Sequence, residues 1–190
     1  MQLLGSTASP FVRRIRLYLL EKNYEFVELD IFSSAGREIL TKNNPVQKIP
    51  VLIDDDGVCI YDSRVIYRYL ANKYNDDALT WPQENQLTLI DAANDALINL
   101  LLLSRSQLDS SEDRLFYNLQ HERIEQVLNA LDQKVEDGEF EQWSYPAICL
   151  FCLLDWIDFR ALYNVKNYVH LVAFKQVVLN KKGTKETAPY

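Results

Sequence analysis

Ser9 stands directly before Pro10, and the pair has two readings. Proline is preorganised for the first helical turn and serine just ahead of it is a good N-cap, so a helix starting at Pro10 explains both residues. The same helix end offers unpaired N–H groups and a partial positive charge, which stabilise an anion. A hydroxyl there can donate to a thiolate and lower the thiol's pKa from about 8.5. Asp62-Ser63 repeats the arrangement before a second helix. Either side chain can cap it. Alternatively Ser63 and its N–H take a carboxylate while Asp62 takes an ammonium, which a zwitterionic amino-acid head group would satisfy. The third element is Pro50, at the head of the apolar run Val51-Leu52-Ile53. Proline cannot donate to a sheet, so it either begins the strand or is a cis proline that leaves neighbouring backbone groups for a ligand.

The elements that must position these residues follow from periodicity. Gln2 to Gly5 reads as a strand, Pro10 to about Lys22 as a helix with Phe11, Ile15, Tyr18 and Leu19 on one face, and Tyr24 to Ile31 as a second strand. Gly36 to Asn43 is a short helix. Val51-Leu52-Ile53 and Val58-Cys59-Ile60-Tyr61 flank the turn Asp54-Asp55-Asp56-Gly57 as a hairpin. Arg64 to Tyr74 is a helix with Val65, Ile66, Tyr69 and Leu70 inward. Beyond Asn75 to Pro82 the strand signals stop. Four helices are expected: Gln83 to about Leu103, about Glu112 to Glu136, one introduced by Trp143-Ser144-Tyr145-Pro146, and Val169 to Leu179. The first carries Leu87, Ile90, Asn94, Leu97 and Leu101 near one face, the second Leu115, Leu119, Ile124, Leu128 and Leu131. The chain therefore divides into an α/β domain over 1–74 in the order βαβ-α-ββα, a linker over 75–82 and an all-helical domain over 83–190.

Composition removes several classes of function. Twenty Lys and Arg against 27 Asp and Glu leave a net charge of −7, which argues against nucleic acid and against an anionic membrane surface. Apolar stretches such as Leu100 to Leu103 are too short to span a bilayer. The opening MQLLGSTASPF lacks a basic segment followed by a long apolar run, so no signal peptide is expected and a cytoplasmic protein is. Cys149 and Cys152 have C-x-x-C spacing but lie in an apolar helical stretch, where thiols behave as small hydrophobes. His121 and His170 stand near no cysteine, and no metal site is indicated.

Ser9-Pro10-Phe11-Val12-Arg13, Asn44 to Leu52 and Asp62-Ser63-Arg64-Val65-Ile66 together resemble the soluble (cytosolic) glutathione S-transferase family, most closely its bacterial serine-type members. Leu154 to Arg160 and the closing Thr187-Ala188-Pro189 also fit, so the resemblance covers nearly the whole chain. It implies a thioredoxin-like first domain followed by the helical one, with glutathione as cosubstrate. Ser9 matches the hydroxyl that stabilises the glutathione thiolate, and Phe11 lies beside it. Ile49, before a cis Pro50, matches the residue whose backbone pairs with the tripeptide. Asp62 and Ser63 match the pair holding the γ-glutamyl head group. Arg37 or Lys48 falls about where a basic residue meets the glycine carboxylate. Thiolate attack on a small electrophile, in the detoxification manner of the family, and a homodimer are what the resemblance implies. Phe11 and residues around Asn99 to Arg105 are its further expectation for the electrophile pocket, with core packing the expected role of most of the run Leu100 to Leu103. A non-catalytic, stringent-starvation-type binding protein is the alternative, and a disulfide oxidoreductase is disfavoured because Ser9 occupies the position of the cysteine.

Three departures stand out. Asp62 is one methylene shorter than the commoner glutamate or glutamine, and Gln47 occupies a position often held by glycine, which reshapes the loop before Pro50. Ser144 is followed three residues later by Ala147 instead of an aspartate, so a capping box has lost its acid. Restoring Asp at 147 is expected to raise the melting temperature.

Overall fold

β1 (Gln2–Gly5), β2 (Glu25–Glu28), β3 (Val51–Ile53) and β4 (Cys59–Tyr61) form a mixed sheet in the order β2-β1-β3-β4. This computed structural model describes residues 1–189. β1 runs parallel to β2 and antiparallel to β3, and β3 runs antiparallel to β4. Side chains alternate across a strand, so Leu4 and Val51 face one side, where they pack with Leu29 and Leu40. Leu40 belongs to α2 (Ser34–Asn43). Leu3 and Leu52, fully buried, face the other side, covered by α1 (Pro10–Tyr18) and α3 (Ser63–Tyr74). This is the thioredoxin-like βαβ-α-ββα order expected.

The chain folds as two compact units, residues 1–79 with the closing segment from Asn180 onward, and Thr80–Leu179. The sequence reading places that closing segment with the helices; it groups with the first unit because Thr184 and Thr187 receive hydrogen bonds from Arg13 of α1. The second unit holds α4 (Trp81–Arg105), α5 (Leu115–Glu136), α6 (Tyr145–Arg160) and α7 (Val169–Val178).

Several boundaries differ from the expectation for local reasons. α1 ends at Tyr18, four residues early, because Leu20 and Lys22 donate to Leu17 and Leu19 in tight turns. β2 is confined to Glu25–Glu28 because β1 offers only four partners. α4 begins at Trp81, inside the expected linker: Thr80 and Gln83 form a capping box and Pro82 sits in the first turn. Predicted inward positions Val65, Leu115 and Leu119 are exposed.

α4 has the length and composition to cross a membrane, which overturns the expectation that no apolar stretch is long enough. Inside its unit it packs against α5 and α6, burying Leu87, Ile90, Asn94 and Leu97 as a core helix. In α6, Cys149 and Cys152 are fully buried.

Candidate active site

Strand register gathers the segments that carry the candidate residues. Leu4 pairs with Val51 and Val51 with Tyr61. The C-terminal end of β1, the N-terminal end of β3 and the C-terminal end of β4 therefore lie side by side. From that end the chain runs into Ser6–Ser9 and α1, enters β3 through Ile49-Pro50, and leaves β4 through Asp62 into α3. Ser9, Ile49, Pro50, Asp62 and Ser63 thus meet at one end of the sheet although they span more than fifty positions of sequence.

Ser9 has extended backbone angles and caps α1, its Oγ accepting from the Val12 N–H at 3.3 Å and its carbonyl from the Arg13 N–H at 3.0 Å. An accepting hydroxyl still has its own proton to donate. Beneath the cap, a Cβ on Gly5 would stand 2.4 Å from Val12 Cγ2, so glycine is what lets β1 and α1 approach this closely. Thr7, the other hydroxyl nearby, is buried and donates to Glu28 Oε1 at 2.7 Å.

The Ile49–Pro50 peptide bond is cis, and Pro50 stands directly before the first residue of β3. Pro50 is buried, and Ile49 lies outside the paired register of β3. Its approach loop is held by Asn44, which is 1 % exposed. Asn44 Nδ2 donates to the Lys48 carbonyl at 2.7 Å and Oδ1 accepts from the Val46 N–H at 2.9 Å. Gln47 keeps the left-handed backbone, φ 56°, that a glycine would adopt freely. Its Oε1 accepts from Arg37 Nη2 at 2.8 Å.

At α3 the cap belongs to Asp62. One carboxylate oxygen accepts from the Arg64 and Val65 N–H groups at 2.9 and 3.3 Å, and the other takes no part in the cap. Asp62 itself is exposed with φ 72°. Ser63 is buried and accepts at 3.5 Å from Arg14 Nη1, whose guanidinium lies 4.7 Å from the Phe11 ring centroid. Arg14 thereby joins Phe11 to the cluster.

Arg37 and Lys48 are exposed. Arg37 meets the Ile49 loop by way of Gln47, and Lys48 contributes its carbonyl to that loop. Sequence reasoning missed Arg14 and Asn44. The asparagine before Pro45 was a legible turn signal; a fully buried arginine carried none.

The opposite end of the sheet has different chemistry. Buried Asp54 accepts from Lys73 Nζ at 2.5 and 2.6 Å and from the Tyr69 hydroxyl, and these bonds hold its carboxyl down to about 2. A polar recess of about 450 Å³ opens there, lined by Met1, Asn23, Tyr24, Glu25, Asp54 and Asp55. Ser9, Ile49, Pro50, Asp62 and Ser63 take no part in that lining.

Comparison with known proteins agrees with this geometry. Residues 3–78 match the glutathione S-transferase N-terminal domain. The chain is 27 % identical over 202 residues to the uncharacterized GST-like protein YibF of Escherichia coli, covering 100 % of this chain and 98 % of that protein. It is 41 % identical over 87 residues to glutathione S-transferase U7 of Arabidopsis thaliana, covering 44 % and 37 % of the two chains. A glutathione S-transferase from Methylobacillus flagellatus, crystallised with glutathione bound, superposes with a TM-score of 0.86 at 26 % identity, covering 100 % of this chain and 99 % of that one. A sheet end built from Ser9, a cis Ile49-Pro50 and Asp62-Ser63 thus stands in a chain whose residues 3–78 match the glutathione S-transferase N-terminal domain and whose fold is shared along its whole length with a glutathione S-transferase.

Proposed function

We propose that the protein is a glutathione-dependent transferase whose Ser9 hydroxyl stabilises the glutathione thiolate. The reading is carried by the register that lines up Ser9, Ile49 and Asp62-Ser63 at one sheet end, and it is supported by the full-length relative crystallised with glutathione. Ile49 exchanges main-chain hydrogen bonds with the tripeptide as an added strand would. The uncommitted oxygen of Asp62 takes the γ-glutamyl ammonium, and Ser63 with its N–H takes the α-carboxylate. Phe11 flanks the thiol. Arg37, steered by Gln47, takes the glycine carboxylate, with Lys48 the other cation in reach of that role.

The chemistry asked of the protein is small. Ser9 donates its proton in a hydrogen bond to the sulfur, and the start of α1 adds its partial positive charge, so the bound thiol ionises below its solution value. The thiolate then forms a bond to an electrophilic carbon, and the leaving group departs with its electron pair. No side chain becomes covalently attached. A cytoplasmic homodimer completes the proposal, and sedimentation showing only monomer at working concentration would remove the dimer.

Calorimetric titration with reduced glutathione tests the site. Wild-type binding should saturate. Asp62→Asn keeps an oxygen for the α3 cap but loses the charge, and should weaken binding about tenfold. Ser9→Ala should lower turnover by about tenfold or more while changing affinity little. Wild-type protein that takes up no glutathione would refute the reading.

A further inference from the structure

Arg13, the neighbour of Arg14, is also buried, at 2 % exposure. It turns to the closing segment of the chain. Nη2 donates to the Thr184 carbonyl at 2.7 Å and Nε to Thr187 Oγ1 at 3.3 Å. That segment is itself tightly folded. Thr184 Oγ1 donates to the Lys181 carbonyl and Thr187 Oγ1 to the Gly183 carbonyl, both at 2.7 Å. Gly183 has φ 86°, and a Cβ there would lie 2.8 Å from Leu20 Cδ2 and 3.1 Å from Leu17 Cδ2. Lys182 Nζ reaches Glu21 Oε1 at 3.0 Å. Residues 181–187 therefore grip α1 and the turn after it at Arg13, Leu17, Leu20 and Glu21.

Burying a guanidinium is strongly unfavourable unless its donors are met. The Thr184 and Thr187 acceptors are thus part of what allows Arg13 to be inside. Through its backbone, Arg13 makes the first hydrogen bond of α1, its N–H donating to the Ser9 carbonyl at 3.0 Å. The side chain and main chain of one residue link the end of the chain to the cap.

We propose that Arg13, held by Thr184 and Thr187, is a positioning residue that fixes the first turn of α1 and with it the Ser9 hydroxyl against the bound thiol. This rests on the reading of Ser9 given above. Hydrogen-bond stabilisation of a thiolate depends steeply on the donor's placement, whereas Ile49 and Asp62-Ser63 hold the rest of the tripeptide from other elements. Loosening the clamp therefore raises the thiol's pKa and leaves tripeptide affinity in place. A residue that merely supports the fold would not separate the two.

The test is a spectroscopic pH titration of the thiol of bound glutathione in wild type, Ser9→Ala, Thr187→Val and Thr187→Ser. S-methylglutathione, which has no ionisable thiol, measures affinity in parallel. Thr187→Val keeps the side-chain shape, removes the acceptor for Arg13 Nε and needs no change at the buried arginine. It should raise the bound thiol's pKa by about half a unit, an about threefold smaller thiolate fraction below that pKa. S-methylglutathione affinity should stay within about twofold, and Thr187→Ser should restore the wild-type titration. An unchanged titration in Thr187→Val, beside a clear rise in Ser9→Ala, overturns the clamp alone. Loss of S-methylglutathione affinity in step with the pKa change also overturns it, since the role would then be general support. A wild-type thiol that titrates as in free glutathione, or one indifferent to Ser9→Ala, overturns the Ser9 reading and the clamp with it.

Discussion

Arg14 Nη1 lies 3.5 Å from the Ser63 hydroxyl while its guanidinium covers Phe11 at 4.7 Å. One side chain of α1, fully buried, thus reaches the first residue of α3. The two helix starts that sequence presents as separate caps are held against each other by a residue that belongs to neither cap.

Removing that link should be costly. Arg14→Ala is expected to lower stability by about 2–4 kcal/mol, since it vacates a buried volume and strands its partners. Arg14→Lys keeps the charge but loses the planar fork and the stack on Phe11, so it should recover only part. Urea unfolding measures both, and a lysine variant as stable as wild type would contradict the role assigned to the guanidinium.

Asn44 is expected to matter more than its place in a loop suggests. Asn44→Ala deletes both side-chain bonds that shape residues 44–48 and should cost about 1–3 kcal/mol. The loop leads into Ile49, so glutathione affinity should fall as well. Thermal melts and calorimetry on the same variant check the two effects, and intact affinity would show that Ile49 is positioned by the sheet alone.

The sequence reading expects Ala147→Asp to rebuild a capping box and stabilise α6. The structure reverses that expectation. Ala147 is fully buried, and the Ser144 N–H that a carboxylate would take already donates to the Gln142 carbonyl at 2.8 Å. A carboxylate there is buried without its partner, so the melting temperature should fall by several degrees, about 1–3 kcal/mol of destabilisation. Calorimetric melts decide the sign.

Asp54 should make part of the stability pH-dependent in the acid range. Its folded pKa, about 2 through hydrogen bonds from Lys73 and then Tyr69, lies below the ordinary 3.8 of an aspartate. A depressed folded pKa contributes stability that is complete above the unfolded value and is lost as pH falls through the folded one. Asp54→Asn should therefore melt below wild type at neutral pH, and the gap should narrow between about pH 4 and pH 2. A gap that stays constant across that window would mean the carboxylate charge contributes nothing there.

What the sequence by itself determined lies in short-range patterns. The Ser9-Pro10 and Asp62 caps, the Val51–Tyr61 hairpin around Gly57 and the change from strands to helices after Tyr74 are each set by a few adjacent residues whose backbone preferences agree. The family's motifs were legible for the same reason. Burial and long-range pairing were not. Only the register of β1, β3 and β4 brings Ser9, Ile49 and Asp62 to one sheet end. Only packing decides that Arg13 and Arg14 lie inside while Val65, Leu115 and Leu119 lie outside; Arg13 is met there by acceptors up to 174 positions away. The return of the closing segment to α1 is the same kind of fact. Thr184 and Thr187 have no local signature, and their role exists only once Arg13 has been placed between them.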